Sequence, residues 1–277
     1  LITGATNGIG EEAAKQIALM GAEIVFIARN PSKAEELKHS LKSLTGREST
    51  SIIADLSSQE EIKRAASEFL SMNKPLNILL NNAGIMNTTR KETVDGLEEV
   101  FSVNHLAYYS FTLMLMNKLI ESSPSRVVNV ASGAHMFVKD MNFDDLQSEK
   151  EYKTMQVYGR SKLANILFTR ELAEKLEGKG VTVNCLHPGF VNTGIGSNNS
   201  PTMGRILMTL ARPFSRKTDR GAETSIYLCV SPEVENETGE YFYDCKKEKI
   251  SSAARDKENA TKLWEISSQL TGIDLLD

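Results

Sequence analysis

The segment YGRSK sets Tyr158 four residues before Lys162, within a stretch that reads as helix. Residues four apart share a helix face, so the Lys162 ammonium can sit beside the Tyr158 phenol and favour the phenolate. A tyrosine ordinarily titrates near ~10 and each pKa unit is worth roughly 1.4 kcal/mol, so a phenol poised near neutrality needs about 4 kcal/mol from its surroundings. Lys162 is one source of that energy, and the pair would then donate and accept a proton. Tyr and Lys at this spacing also occur on helices that do no chemistry, so the pair gains meaning only from its surroundings.

The opening LITGATNGIG supplies a second constellation: the end of an apolar strand, a glycine-rich turn, and a helix from Gly8 to about Met20. Gly4 permits a tight turn, Gly8 lets the backbone approach a pyrophosphate, and Gly10 allows helix and strand to pack closely. The free N–H groups of the helix start face the phosphates. The spacing is TGxxxGxG, with Thr3 leading it, and differs from the commoner GxGxxG.

Positioning both constellations requires alternating strands and helices. Strands are expected at Glu23 to Ala28, Thr50 to Ala54, Leu76 to Leu80, Arg126 to Ala131, Val181 to Leu186 and near Tyr241 to Tyr243. Helices are expected at Gly8 to Met20, Ser32 to Leu44, Ser58 to Met72, Gly96 to Ile120, Tyr152 to Glu177 and Arg220 to Val230. This βαβ repetition predicts an α/β fold, a doubly wound parallel sheet of about seven strands with helices on both faces and right-handed crossovers. Its ligand lies beyond the carboxyl ends of the strands. The glycine turn, Asp55, NNAG (Asn81 to Gly84), Ser132 and HPGFVNT (His187 to Thr193) all fall on that edge.

A net charge of −4 and 25% charged residues give no basic excess, so nucleic acid is not an expected partner. No linker, repeat or low-complexity tract divides residues 1–277, and a single domain follows. Cys185, Cys229 and Cys245 are far apart, odd in number and without metal-ligand spacing, so neither a disulfide framework nor a metal is expected. No run reaches the ~20 apolar residues that span a bilayer. The chain opens without methionine and inside its first strand, which reads as truncated. An upstream targeting or anchoring segment is left open, and with it the choice between a cytoplasmic and a membrane-associated intracellular location.

Taken together, TGATNGIG, NNAG, VNH around Asn104, Ser132 in VNVASGAH, YGRSK and PGFVNT resemble the short-chain dehydrogenase/reductase family, in order and separation, over nearly the whole chain. DLQSEK at Asp145 to Lys150, SKLANILFTREL from Ser161, YFYDCK from Tyr241 and KLWEIS from Lys262 resemble the microsomal-type retinol dehydrogenases and their close relatives. The resemblance implies a Rossmann fold in which Tyr158 is the general acid/base for a carbonyl and alcohol pair. It implies that Lys162 lowers the Tyr158 pKa and holds the nicotinamide ribose, and that Ser132 hydrogen-bonds the reacting oxygen. Asn104 matches the residue that positions a water linking Lys162 to solvent. HLAYYS after Asn104 and ASG before His135 depart from the retinol dehydrogenase pattern without removing a catalytic group.

The same resemblance places Gly4, Thr6, Asn7, Gly8, Ile9 and Gly10 against the cofactor phosphates, and Asp55 and Leu56 near adenine. Asn82, Ala83 and Gly84 fall beside the adenosine ribose, and Pro188, Gly189, Val191 and Thr193 along the nicotinamide. At the end of the second strand, FIARN lacks the carboxylate that selects NAD by binding the ribose 2′-hydroxyl. Arg29, with Asn30 beside it, can instead pair with a 2′-phosphate, so NADP (NADPH/NADP+) is the expected cofactor.

Residues 194–219 match an insertion that covers the substrate in this family. Its Met203, Ile206, Leu207, Met208, Leu210 and Phe214 suit a lipophilic carbonyl or alcohol, retinoid or aliphatic, and its basic flanks suit contact with a membrane surface. A short helix packing on the core is the alternative reading of this stretch. His135 and Met136 border the expected pocket. The helices Gly96 to Ile120 and Tyr152 to Glu177 are the faces through which relatives form homodimers, although their apolar residues serve the sheet equally well. Alternatives to a lipophilic-substrate enzyme are a broad-specificity carbonyl reductase and a non-catalytic dinucleotide-binding regulatory protein.

Overall fold

The computed structural model describes residues 1–189 and 218–275. Eight strands form one sheet in the order β3-β2-β1-β4-β5-β6-β7-β8. They are β1 (Ile2–Thr3), β2 (Val25–Ala28), β3 (Thr50–Ile53), β4 (Ile78–Asn81), β5 (Ser125–Val130), β6 (Val181–Leu186), β7 (Tyr241–Tyr243) and β8 (Lys246–Lys247). The first seven are parallel and β8 is antiparallel to β7. The strand order reverses between β1 and β4, and this reversal opens the crevice where open α/β sheets bind ligands.

Successive strand residues point to opposite faces, and the apolar sequence supplies both. Val25, Ile27, Ile52 and Val127 join one buried cluster, while Phe26, Ala28, Leu80 and Val128 join the other. The helices α1 (Gly8–Leu19), α2 (Pro31–Thr45) and α8 (Thr218–Val230) carry residues of the second cluster. The first is covered by α3 (Gln59–Ser71), α5 (Ala107–Met114), α7 (Thr154–Lys175) and α10 (Lys257–Thr271). Asn30 and Ser58 cap α2 and α3 by accepting the N–H groups of Lys33 and Glu61.

Three regions of the described residues differ from the sequence expectation. Strand β8 follows a tight turn in which Asp244 and Cys245 both have positive φ, 48° and 59°. Two exposed lysines carry no apolar alternation to announce it, and they protect the sheet edge from further pairing. The helix expected from Gly96 to Ile120 begins at Glu99 and is divided into α4 (Glu99–Phe101), a π-helical turn (Ser102–Leu106), α5 and α6 (Met116–Glu121). Glu98, fully buried, sets its start by accepting the N–H groups of Val100 and Phe101 at 2.9 and 2.6 Å. The C-terminal helix α10 and the short α9 (Ser252–Arg255) before it are additional.

Helix α10 packs on aromatic residues of α5 and α7. Trp264 meets Tyr109 edge-on at 5.1 Å and stacks on Phe168 at 5.9 Å, and the Tyr109 hydroxyl donates to the Ile273 carbonyl. His105 is fully buried among these rings with its Nε2 2.9 Å from Ser267 Oγ, and burial pushes its pKa down to about 3. The unfolded chain therefore binds a proton that the folded chain refuses between about pH 6.5 and 3, so stability falls as pH drops through that window. This histidine alone contributes a slope of about 1.4 kcal/mol per pH unit. Urea unfolding of His105→Gln is expected to show a smaller stability difference between pH 7 and pH 5 than the parent chain; an unchanged difference would contradict the assignment.

Candidate active site

The ends of β1 and β4 are stitched together before any ligand is considered. Thr3 Oγ1 accepts the N–H groups of Asn82 and Ala83 at 2.9 and 3.1 Å, and Asn82 Nδ2 donates to the carbonyls of Thr3 and Gly4 at 3.0 and 3.1 Å. Asn82 thus braces the turn with its side chain. Gly4 and Gly8 hold φ of +66° and +60°, where a side chain would be strained. At Gly10 a Cβ would lie 2.3 Å from Asn82 Nδ2 and 2.4 Å from the Gly4 carbonyl oxygen, so only glycine brings α1 this close.

Asn7, at the α1 N-cap, is exposed and makes no side-chain capping bond, while Thr6 is half-buried. The helix start therefore presents backbone N–H groups suited to phosphate. Ile9 is buried in the core, so its contribution at this site is its backbone. The cradle fits the pyrophosphate of a dinucleotide. At the neighbouring strand ends, Arg29 is exposed and its Nη1 stands 3.9 Å from Asp55 Oδ2. Asn30 accepts from Lys33 N as the cap of α2, Asp55 accepts from Ser57 N at 2.9 Å, and Leu56 is buried beneath.

On the other side of the crevice, the π-helical turn inserts Asn104 toward β4. Its Oδ1 accepts from Ile85 N at 2.7 Å, and its Nδ2 donates to the Ile85 carbonyl at 3.0 Å and to Ser161 Oγ at 2.9 Å. Ser161 in turn donates to the backbone carbonyl of Tyr158 at 2.8 Å. A Cβ on Gly84 would lie 3.4 Å from both Asn104 Oδ1 and Lys162 Nζ, so the glycine leaves these two groups room over the NNAG loop. Tyr108 donates to the Ala83 carbonyl at 2.8 Å, fixing the same loop from α5.

Lys162 is buried, donates to the Val130 carbonyl at 2.9 Å, and stands 5.8 Å from the Tyr158 ring centre. Burial brings its pKa down to about 7. The Tyr158 phenol moves the other way from the sequence expectation: desolvation raises it, and the opposing influence is a hydrogen bond with Ser132. At this distance the buried ammonium does not outweigh the loss of water around the phenol. Ser132 follows β5 by two residues and caps a short 3-10 helix (Gly133–Phe137) by accepting from Ala134 N at 3.1 Å. That bond uses a lone pair and leaves the hydroxyl proton for Tyr158. Gly159 closes the arrangement, since a Cβ there would strike the Ala134 carbonyl at 2.8 Å. Helix α7 can therefore press Tyr158 against the Ser132 loop.

Of the residues expected along the nicotinamide, Pro188 and Gly189 follow β6, with Gly189 N donating to His187 Nδ1 at 3.2 Å. Val191 and Thr193 lie outside the described residues, as does the expected covering insertion except Thr218 and Asp219, which open α8. Beside Ser132, Met136 and Phe137 are exposed, whereas His135 is buried. Val130, Ser161, Tyr108 and Gly159 carry structural roles at the site that residue spacing did not assign. Among the described residues no cluster of three His, Cys, Asp or Glu side chains could hold a metal ion, and no helix is long and apolar enough to cross a membrane.

A family profile described as short chain dehydrogenase matches residues 1–204. Mouse retinol dehydrogenase 12 is 42% identical over 274 residues, covering 99% of this chain and 86% of its own length. Human retinol dehydrogenase 14 is 40% identical over 294 residues, with coverage of 99% and 86%. Among solved structures, a short chain dehydrogenase from Burkholderia cenocepacia in complex with NADP superimposes with a TM-score of 0.70 at 25% identity, covering 92% of this chain and 96% of that one. With its glycine turn, strand order and Ser132, Tyr158 and Lys162 all meeting at one sheet edge, the chain belongs to the short-chain dehydrogenase/reductase family, in the branch of the retinol dehydrogenases.

Proposed function

We propose that this chain is an NADP(H)-dependent oxidoreductase that interconverts a carbonyl and an alcohol on a lipophilic small molecule, with Tyr158 as general acid and base. The observation that carries the reading is the convergence of Ser132, Tyr158 and Lys162 at the end of β5, opposite the glycine cradle. When bound, the nicotinamide supplies or takes the hydride. The residues of the chain do the rest. Gly4, Gly8 and Gly10 shape the phosphate cradle, and Arg29 is available for a 2′-phosphate because its ion pair with Asp55 is long and exposed to water.

In reduction, Tyr158 gives its proton to the carbonyl oxygen while the Ser132 hydroxyl stabilises the charge developing there. The raised Tyr158 pKa keeps that proton in place at neutral pH. Lys162, held by the Val130 carbonyl and facing Gly84, returns the phenolate to its protonated form, and Asn104 fixes the α7 turn through Ser161. Exposed Met136 and Phe137 beside Ser132, with Met155 one helical turn before Tyr158, support an apolar substrate. The two retinol dehydrogenases, by their names, act on a lipophilic alcohol, which points the same way.

The test is NADPH oxidation with all-trans-retinal, decanal and a polar ketone. Turnover of the first two over the third is the expected result. Comparable turnover of all three would replace this reading by a broad carbonyl reductase, and tight NADPH binding with turnover of none would replace it by a binding protein.

A further inference from the structure

His135 lies three residues beyond Ser132, buried with 1% of its surface exposed, and it connects three separate parts of the chain. Its Nδ1 is 2.8 Å from the Ser132 carbonyl oxygen, and its Nε2 is 3.4 Å from Ser251 N, the residue that caps α9. Its ring meets Tyr241 of β7 edge-on at 5.1 Å. The two neighbours dictate one tautomer. A carbonyl can only accept, so Nδ1 carries the proton, and a backbone N–H can only donate, so Nε2 presents its lone pair. Burial lowers the imidazole pKa and so favours this neutral form. The Ser132 carbonyl also accepts from His135 N at 3.2 Å, so the imidazole and its own backbone grip the same oxygen.

We infer that His135 is a positioning residue for Ser132: its Nδ1–H holds the Ser132 main chain, anchored from β7 and the α9 cap, so that the Ser132 hydroxyl stays aimed at Tyr158. The inference rests on the proposed role of Ser132 in binding the reacting oxygen. It assigns His135 a task at the site through its bonds to the Ser132 and Ser251 backbone. The position of the hydroxyl is reported locally by Ala134 N, which donates to Ser132 Oγ at 3.1 Å.

Two substitutions separate the two ends of the ring. His135→Asn keeps a donor near the Nδ1 position, whereas His135→Gln keeps an acceptor near Nε2 and removes the bond to Ser132. With decanal and NADPH, His135→Asn is expected to hold kcat within about threefold of the parent and His135→Gln to lose about tenfold, with NADPH affinity unchanged in both. Amide hydrogen exchange at Ala134 should accelerate about tenfold in His135→Gln but not in His135→Asn, while Val127 in mid-β5 keeps its protection in both. Equal kcat and equal Ala134 exchange in the two variants would overturn the proposal. So would parallel acceleration at Val127, which would make His135 a general packing residue. If the parent turns over no carbonyl, the proposed function falls, and exchange at Ala134 still decides the role of His135.

Discussion

Replacing Tyr158 by phenylalanine is expected to lower carbonyl turnover by about 10³-fold and to leave NADPH affinity within about threefold, because general acid catalysis is lost while the ring remains. The substitution removes one oxygen. That oxygen receives the Ser132 hydrogen bond. Desolvation holds the phenol above its ordinary pKa, so the acid needed for reduction is present at neutral pH. Alcohol oxidation needs the phenolate and should gain as pH rises. Steady-state kinetics with decanal and with decanol, beside fluorescence titration of NADPH, check both statements. Turnover within tenfold of the parent would remove Tyr158 from the mechanism.

Arg29→Ala is expected to weaken NADPH binding by about 10²-fold while leaving NADH binding nearly unchanged, since hydrogen bonds to a charged group contribute roughly 1.5–3 kcal/mol. The guanidinium is 70% exposed and its Asp55 partner is 3.9 Å away, so little holds it back from a phosphate. Asp55 itself cannot supply NAD selectivity from the end of β2, because it follows β3 and one of its oxygens accepts from Ser57 N. Dissociation constants for the two dinucleotides decide the matter, and an unchanged preference would mean that the 2′-phosphate is read elsewhere.

The proposed catalytic residues were legible as candidates because their chemistry is local in the chain. Tyr158 and Lys162 lie four apart on one helix, and Gly4, Gly8 and Gly10 lie within one short segment, so spacing marked them as candidates and the surrounding motifs gave them weight. What holds them was not legible, because the partners arrive from distant strands through backbone atoms. Lys162 is fixed by the Val130 carbonyl of β5, 32 residues away, and Asn104 reaches Ser161 only because a π-helical turn rotates it there. A carbonyl has no residue type, and a π-helical turn leaves no pattern in apolar spacing. The same limit explains the direction of the Tyr158 shift. A neighbouring lysine can be read from the chain, but the water it loses on burial cannot.

The fold divides similarly. Strand β2 is apolar throughout and β3 to β6 combine apolar residues with polar ones such as Ser51, Asn129 and Asn184, and all five coincide with the expected stretches apart from small differences in their ends. Helix α10 escaped the count of elements, although Trp264 proves to lock Tyr109 and Phe168 in place. Its packing also answers how the aromatic face of α5 and α7 is covered within one chain.

The central claim is that a hydride and a proton meet at one carbonyl held by Ser132 and Tyr158. Incubating the chain with NADPH deuterated at the transferable nicotinamide position and all-trans-retinal or decanal, then weighing the alcohol, tests this directly. An alcohol carrying one deuterium on its carbinol carbon is expected from the parent chain and is lost in Tyr158→Phe. NADPH bound tightly with no deuterated alcohol from either carbonyl would contradict it.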